Sequence, residues 1–516
     1  MGPLQDIRET WARFWNDDNP AVAFLHARRR LMLAISAIVL VPCFWHARIE
    51  TGDLGSHVYN AWLARLIAKG QAPGLYIVHQ WNNMLFDVAL LHTANILGFV
   101  AAQKIVVSAC VLVFFWGVFA LASAVSGRAP LFLTPAIAIL AYGYSFEMGF
   151  LNYYLSIGLA CFSLALLWSG KGRGWISGLV FALLAFMAHP IGFAWLAGTL
   201  AYITLRRKLN GVWGAALFAV ALAGIYGVHW YLQHRTQFEI DWEKMPFYQA
   251  NGTDQLVLFG DRYVCLAWAA LILGMASFVF GVAAAQKEKD TLKLTVIPLE
   301  LYAILFCATA LLPENLRPPM FAGWIGLLAS RLTTISAILG LCVLACFPAR
   351  KWHLAGYAAL ALAFFAFLYQ DTRVLNRMES NVEAVLRGLP YGTRVIPTIQ
   401  APQEWRIQFI GHVVDRACIG HCFTYSNYEP SSGQFRVRVR KGSPLATDSA
   451  NDAEDMEGGS YEVQDTDPPL TRIYQCDPAD WTNLCSHQLV EGETTGGAIP
   501  PERNPPPAAQ SAPAPK

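Results

Sequence analysis

Residues Glu50 to His92 read E-T-G-D-L-G-S-H-V-Y-N-A-W-L-A-R-L-I-A-K-G-Q-A-P-G-L-Y-I-V-H-Q-W-N-N-M-L-F-D-V-A-L-L-H. They directly follow the first long apolar segment, 31–46. Asp53, His57, His79, Gln80, Asn82, Asn83, Asp87 and His92 are concentrated here. So many polar groups beside a first span point to a loop that does work. Residues 54–68 read as a short helix. Gly70 stands where a left-handed C-terminal residue belongs, and Pro73 lies just beyond it. Asp53 then falls at the head of the helix, with His57 one turn on along the same face. Two readings of Asp53 stay open and are compatible. As an N-cap it stabilises the helix by about 1 kcal/mol. As a chemical group it offers a carboxylate held in a fixed direction.

Composition sets the class. Of 516 residues 55% are hydrophobic and 14% charged, with a mean hydropathy of +0.36. A spanning helix needs about 20 apolar residues, and many such windows occur, so the chain reads as a polytopic membrane protein. A net charge of +2 gives no bulk attraction to nucleic acid. The start, Met1 to Pro20, is polar and unlike a cleavable signal, so the first span reads as a retained anchor.

Basic residues set the topology. Arg28, Arg29 and Arg30 precede the first span and belong in the cytoplasm, which puts Glu50 to His92 outside. Residues 82–101 either span or re-enter from the outer face. Re-entry lets Arg128, Lys171 to Arg173, Arg206 to Lys208, Lys287, Lys289, Arg350 and Lys351 all face inward. Spans then fall at roughly 105–125, 131–147, 153–168, 175–188, 190–205, 212–230, 263–285, 293–312, 320–347 and 354–370. The expected fold is an all-α polytopic membrane domain of about eleven spans plus one re-entrant or interfacial segment. A small C-terminal extracytoplasmic α/β domain follows it. The expected divisions are a cytoplasmic N-terminus (1–30), a transmembrane domain (31–370) with outer loop 47–92, an extracytoplasmic domain (371–496) and a Pro/Ala-rich disordered tail (497–516).

Within the C-terminal part, 376–389 reads as a helix ended by Pro390. Arg394 to Ile399 follows as a strand. Phe435, Val437 and Val439 alternate with Arg436, Arg438 and Arg440, a half-buried strand whose basic face reads as solvated. Residues 441–459 read as a mobile polar loop. Seven of the 11 cysteines lie in apolar segments and read as small buried hydrophobes. Cys418, Cys422, Cys476 and Cys485 lie in the polar part. Their even number suits one or two disulfides in an oxidising compartment, most simply Cys476 with Cys485, and their spacing is poor for zinc.

Three further places carry polar groups near the outer side. His189-Pro190 breaks the apolar run 175–205, and His189 reads there either as a cavity residue or as a hydrogen-bonded histidine at a kink. Glu147 lies in an outward loop, F-E-M-G-F-L-N-Y-Y (146–154). Arg317 lies in P-E-N-L-R-P-P (313–319), and Arg331 in the next apolar run. An arginine in a span costs about 2.5–3.5 kcal/mol on insertion scales, so Arg331 should face a cavity, bind an anion such as a lipid phosphate, or pair with Glu300 or Glu314. No phosphate-binding glycine loop and no H-E-x-x-H is present.

The order Asp53, His57, Tyr59, Gly70, Pro73, Tyr76 after a first span resembles the first outer loop of the GT-C glycosyltransferases. These multi-span enzymes use lipid-phosphate-linked sugars, and include protein O-mannosyltransferases and aminoarabinose transferases. Their frequent H/K-P-P-L after this helix is replaced here by His79-Gln80-Trp81-Asn82-Asn83. The resemblance implies a transferase in a bacterial cytoplasmic membrane, with its C-terminal domain periplasmic. It would move a sugar from a polyprenyl-phosphate donor to a hydroxyl on a glycan, lipid or protein acceptor. Asp53 would be the base and His57 its neighbour. His79, Asn82, Asn83, Asp87, Glu147, His189, Arg317 and Arg331 would contact sugar or phosphate. No cofactor is required, and a divalent cation on Asp53 with Glu147 or Asp241 stays open. A lipid-linked polysaccharide polymerase or ligase would share these features. A transporter or assembly subunit is the non-catalytic alternative, disfavoured by the gathering of polar groups on one side.

Overall fold

The longest buried helix is α4, Phe99–Ser126, 28 residues of F-V-A-A-Q-K-I-V-V-S-A-C-V-L-V-F-F-W-G-V-F-A-L-A-S-A-V-S. It is apolar all round, the pattern of a helix enclosed by others. Gly98 precedes it and Gly127, left-handed at φ 69°, ends it. It packs along α6, Leu151–Leu167. The two backbones meet at small residues. A Cβ on Gly117 would lie 2.3 Å from the Gly158 carbonyl oxygen, and Phe114 stacks on Tyr154 at 4.3 Å. Close approach at glycine is how spans pack where lipid is as apolar as the side chains.

The computed structural model describes residues 28–169, 174–242, 246–286, 289–319, 324–407, 410–477, 480 and 482–497. The polar start, the inward basic residues Lys171 to Arg173 and Lys287, and the tail from 498 lie outside the described residues. The chain is mostly helical. Before α4 come α1 (Arg29–Val39), α2 (Leu54–Ala68) and α3 (Leu85–Leu97). After it come α5 (Thr134–Ala141), α6, α7 (Trp175–Ala188), α8 (Pro190–Lys208), α9 (Gly211–Arg235), α10 (Asp261–Ala285), α11 (Lys289–Leu311), α12 (Leu328–Ala345), α13 (Lys351–Arg387) and α14 (Ala450–Gly458), with a few shorter helical turns. The strands are β1 (Leu75–Ile77), β2 (Glu239–Asp241), β3 (Asn315–Arg317), β4 (Arg394–Thr398), β5 (Phe423–Thr424), β6 (Val437–Val439), β7 (Leu470–Gln475) and β8 (Leu484–Gln488).

Contacts divide the chain into two units. The first holds residues 1–61, 79–376 and 402–409, and the second 62–78, 377–401 and 410–516. By contacts the chain passes into the second unit at 376/377, residues 62–78 group with the second unit, and residues 402–409 group with the first. Among the described residues, α4, α9, α10, α11, α12 and α13 are long and apolar enough to cross a membrane. α4 is 72% buried and α9 only 6% over their apolar windows, so α4 is central and α9 peripheral.

Several expected elements take a different form. α3 has 13 residues, about 20 Å of helix at 1.5 Å per residue, short of a hydrocarbon core of roughly 30 Å. The segment 131–147 is not one helix: a tight turn at 131–133, α5 and a short helix Tyr144–Glu147 follow one another. The break at His189-Pro190 is present, between α7 and α8. The last span and the helix expected at 376–389 are one continuous 37-residue helix, α13.

In the second unit, β5, β4, β7 and β8 form one sheet in that order. β4 is parallel to both neighbours, and β8 is antiparallel to β7. Ile396, Tyr425, Met456, Val463, Leu470 and Leu489 make its core. β1 pairs with β6 in a separate antiparallel ribbon. Both disulfides form, Cys418–Cys422 and Cys476–Cys485, with Cα separations of 4.6 and 5.5 Å. The expected loop at 441–459 contains α14 instead. Ser449 caps it by accepting from Asp452 N–H, Gly459 ends it at φ 85°, and Ala453 and Met456 are buried. Capping and two apolar anchors outweigh the acidic composition of that stretch.

Candidate functional site

The loop after the first apolar helix is fastened to a turn about a hundred residues later. Gly52 N–H donates to the Glu147 carbonyl at 2.7 Å, and Asp53 N–H to the Met148 carbonyl at 3.0 Å. Glycines make the contact possible. A Cβ on Gly52 would lie 2.5 Å from Met148 O, and one on Gly149 would lie 2.3 Å from Asp53 N. Gly149 is also left-handed, at φ 79°, where an L side chain is strained. Asp53 is thereby set at the N-cap position of α2, its carbonyl accepting from His57 N–H at 3.0 Å.

One turn on, His57 Nδ1 donates to Asp87 Oδ1 at 2.6 Å. The other Asp87 oxygen accepts from Asn152 Nδ2 at 2.7 Å, and Asn152 Oδ1 accepts from Phe86 N–H at 2.9 Å. The His57 ring stands edge-on to Phe86 at 5.2 Å. Each partner fixes the next. Phe86 N–H sets the Asn152 amide, Asn152 sets the Asp87 carboxylate, and Asp87 sets the His57 tautomer. In the neutral ring Nε2 then carries the lone pair. Asp87, expected to meet substrate, holds His57 and Asn152 with its two oxygens.

Arg331 and His189 flank the same stretch of chain. The Arg331 guanidinium lies 4.5 Å from the Phe150 ring centroid, and its Nη1 donates to Gly326 O at 2.9 Å. Tyr153 O–H donates to Arg331 O, and the Tyr153 ring meets His189 edge-on at 5.5 Å. His189 Nδ1 accepts from Ile191 N–H at 3.2 Å, capping α8, which matches the kink reading of this histidine. Glu300 holds Arg206 and Tyr202 instead of Arg331. Glu147 is 2% exposed, and its Oε2 has no hydrogen-bond partner among the described residues. Asn82 and Asn83 are half-buried, Asn83 left-handed at φ 51°, and His79 is exposed. None of the three joins the His57–Asp87–Asn152 chain. Arg317 sits apart in β3, 3.7 Å from Glu239 of β2.

Sequence reasoning missed a second buried polar cluster. Arg406 Nη2 pairs with Asp254 Oδ2 at 2.9 Å, and its Nη1 donates to the Asp254 carbonyl at 2.7 Å. Its guanidinium carbon lies 3.7 Å from the Tyr144 ring centroid. Thr333 donates to Asp254 at 3.1 Å. Gln249 donates to Ser330 Oγ at 2.9 Å, and Ser330 N–H donates to Glu314 at 3.2 Å. Burial raises both the Asp254 and the Glu314 carboxyls above their ordinary range, against the pull of Arg406. The sequence carries a faint signal, since T-D-Q-L (253–256) and S-R-L-T-T (330–334) are polar runs beside apolar ones.

Among the described residues no group of three or more His, Cys, Asp and Glu side chains is placed to hold a metal ion. Asp241 accepts from Asn315 Nδ2 at 2.6 Å. Family models, curated proteins and solved structures yield no match to this chain.

Proposed function

We propose that the chain is a membrane glycosyltransferase that moves a sugar from a polyprenyl-phosphate donor to a hydroxyl acceptor at the outer face of the cytoplasmic membrane. About eleven crossings, with the first outer loop and the second unit on the non-cytoplasmic side, complete this reading. The observation that carries it is the fastening of Asp53 to the Glu147–Gly149 turn, one helical turn from an oriented His57. A general base needs a fixed carboxylate within reach of the proton it takes.

In this mechanism the Asp53 carboxylate accepts the acceptor hydroxyl proton as the oxygen forms its bond to the anomeric carbon. The bond from that carbon to the phosphate oxygen breaks, and the electron pair leaves with the lipid phosphate. Arg331, whose guanidinium lies against the Phe150 ring, stabilises the leaving phosphate. His57, with its tautomer set by Asp87, orients Asp53 or contacts the phosphate. Incubating purified protein with a panel of radiolabelled polyprenyl-phosphate sugars and a membrane extract tests the proposal. Transfer of label to an acceptor is expected with at least one donor. Label remaining on every lipid donor, with protein shown to be folded, would count against it.

A further inference from the structure

In the second unit, the β1–β6 ribbon presents a row of cations that the transfer mechanism does not use. β6 and its flanks place Arg436, Arg438 and Arg440 on one face, while Val437, opposite Ile77, and Leu75, opposite Val439, are buried on the other. Alternate residues of a strand recur at roughly 6.8 Å, so the guanidinium stems stand in single file at that interval. The register sets Tyr76 opposite Arg438. Gly74 receives Arg440 N–H at 2.8 Å, and Val78 N–H donates to the Arg436 carbonyl at 2.9 Å. The three cross-strand positions facing the arginines are therefore Gly74, Tyr76 and Val78, none of them acidic.

Among the described residues none of these arginines forms an ion pair with a carboxylate. Other arginines of the same unit do: Arg416 makes a two-pronged pair with Glu379, and Arg387 pairs with Glu383 at 3.0 Å. Like charges spaced two residues apart along one strand repel each other. A row of three without counter-charges among the described residues, in a chain of net charge +2, is a local feature and not a general excess of base. Partial burial pulls Arg438 below its usual range, with Tyr76 opposing. That is the direction a cation takes when no anion faces it. Tyr76 is 36% exposed and lies under Arg440, 5.4 Å from guanidinium to ring centroid. The row therefore has a flat aromatic surface set among forked donors.

We propose that this ribbon binds an anionic glycan chain, with Arg436, Arg438 and Arg440 taking its carboxylate or phosphate groups and Tyr76 lying against a sugar ring. Arginine forks read such groups with two parallel hydrogen bonds, where a smeared membrane charge would be met as well by lysine. Single file with a central ring suits an extended polymer better than a bilayer plane, which attracts broader clusters of about 4–8 basic residues. The inference deepens the transferase reading by naming the acceptor class. It rests on that reading only for the role of acceptor, because binding is measured without turnover.

The test uses the full-length protein in discs of phosphatidylcholine. Binding of oligogalacturonate, of a phosphorylated mannan oligosaccharide and of neutral dextran is measured by calorimetry. At least one anionic oligomer should bind, dextran should not, and added salt should weaken binding. The triple variant Arg436→Gln, Arg438→Gln, Arg440→Gln should lose about 10-fold or more, the scale of three exposed pairs. Tyr76→Ala should lose several-fold in a salt-insensitive manner. If the triple variant is not monodisperse, Arg436→Gln and Arg440→Gln singly carry the test, each with a loss of about 3-fold. Equal affinity of wild type and variants, or no preference for anionic over neutral oligomers, overturns the proposal. So does loss of binding to phosphatidylglycerol-containing vesicles with glycan binding unchanged, which would make the row a membrane contact. Binding without any sugar transfer would keep the surface and remove the transferase.

Discussion

Replacing Arg406 with Gln should destabilise the membrane unit more than any other single change outside its apolar core. Asp254 is fully buried, with one oxygen lacking a partner and the other held by Arg406 and Thr333. Arg406 also supplies a hydrogen bond to the Asp254 carbonyl and stacks on Tyr144. Removing one partner of a buried pair leaves an uncompensated charge and costs about 3–5 kcal/mol. The loss depends on pH in a defined direction. Asp254 is already raised by burial, with Arg406 lowering it, so losing Arg406 raises it further. A carboxyl whose folded value exceeds its unfolded value favours folding fully below the unfolded value, and that contribution is lost as pH rises through the folded value. The gap between variant and wild type should therefore be smallest in acid, below the ordinary aspartate range, and widen as pH rises above that range. Tryptophan fluorescence melts in detergent would measure it, with Trp405 beside the site. Arg406→Gln with Asp254→Asn should recover most of the loss, because the stranded charge is gone. A single variant as stable as wild type at neutral pH, or a double variant worse than the single, would refute this reasoning.

Gly149→Ala should cost about 1–2 kcal/mol from its left-handed backbone alone and more by pushing Asp53 away, so a melt that matches wild type would show that the turn is not fastened as described. In the second unit burial pushes Glu457 up to about 8 from an ordinary 4.5; the sign is that of a raised carboxyl, so stability should fall between those values and level off above, and Glu457→Gln should flatten the profile in pH-dependent unfolding. Cysteines placed at the exposed positions His79 and Ser460 should both react with an impermeant maleimide in intact spheroplasts, and labelling of one alone would contradict the topology.

Local chemistry made part of this architecture readable. α2 begins and ends where Asp53 and the left-handed Gly70 mark it, and Cys476 and Cys485 are near enough in sequence to pair. β4 stands out as Arg394 to Thr398 because a proline and a glycine precede it. What stayed hidden depends on distance along the chain. Asn152 and Asp87 are 65 positions apart, and Asp254 and Arg406 are 152 apart. Neither pairing leaves a trace in periodicity, since a single buried polar residue breaks an apolar run without saying what it meets. α14 was hidden for another reason: its acidic composition masks a capped helix with two buried anchors. The continuity of α13 was hidden because hydropathy falls after Tyr369 while helix propensity does not.

In the proposed transfer, Asp53 is the carboxylate that takes the acceptor proton. Asn caps a helix about as well as Asp, and the backbone bond from residue 53 to Met148 does not involve the side chain. Asp53→Asn therefore separates chemistry from folding. Sugar transfer from the active polyprenyl-phosphate donor should be followed for wild type and variant at matched melting temperature. The variant should fold as wild type does while its turnover falls about 100-fold or more, the scale of losing a general base. A folded Asp53→Asn protein with undiminished transfer would contradict it.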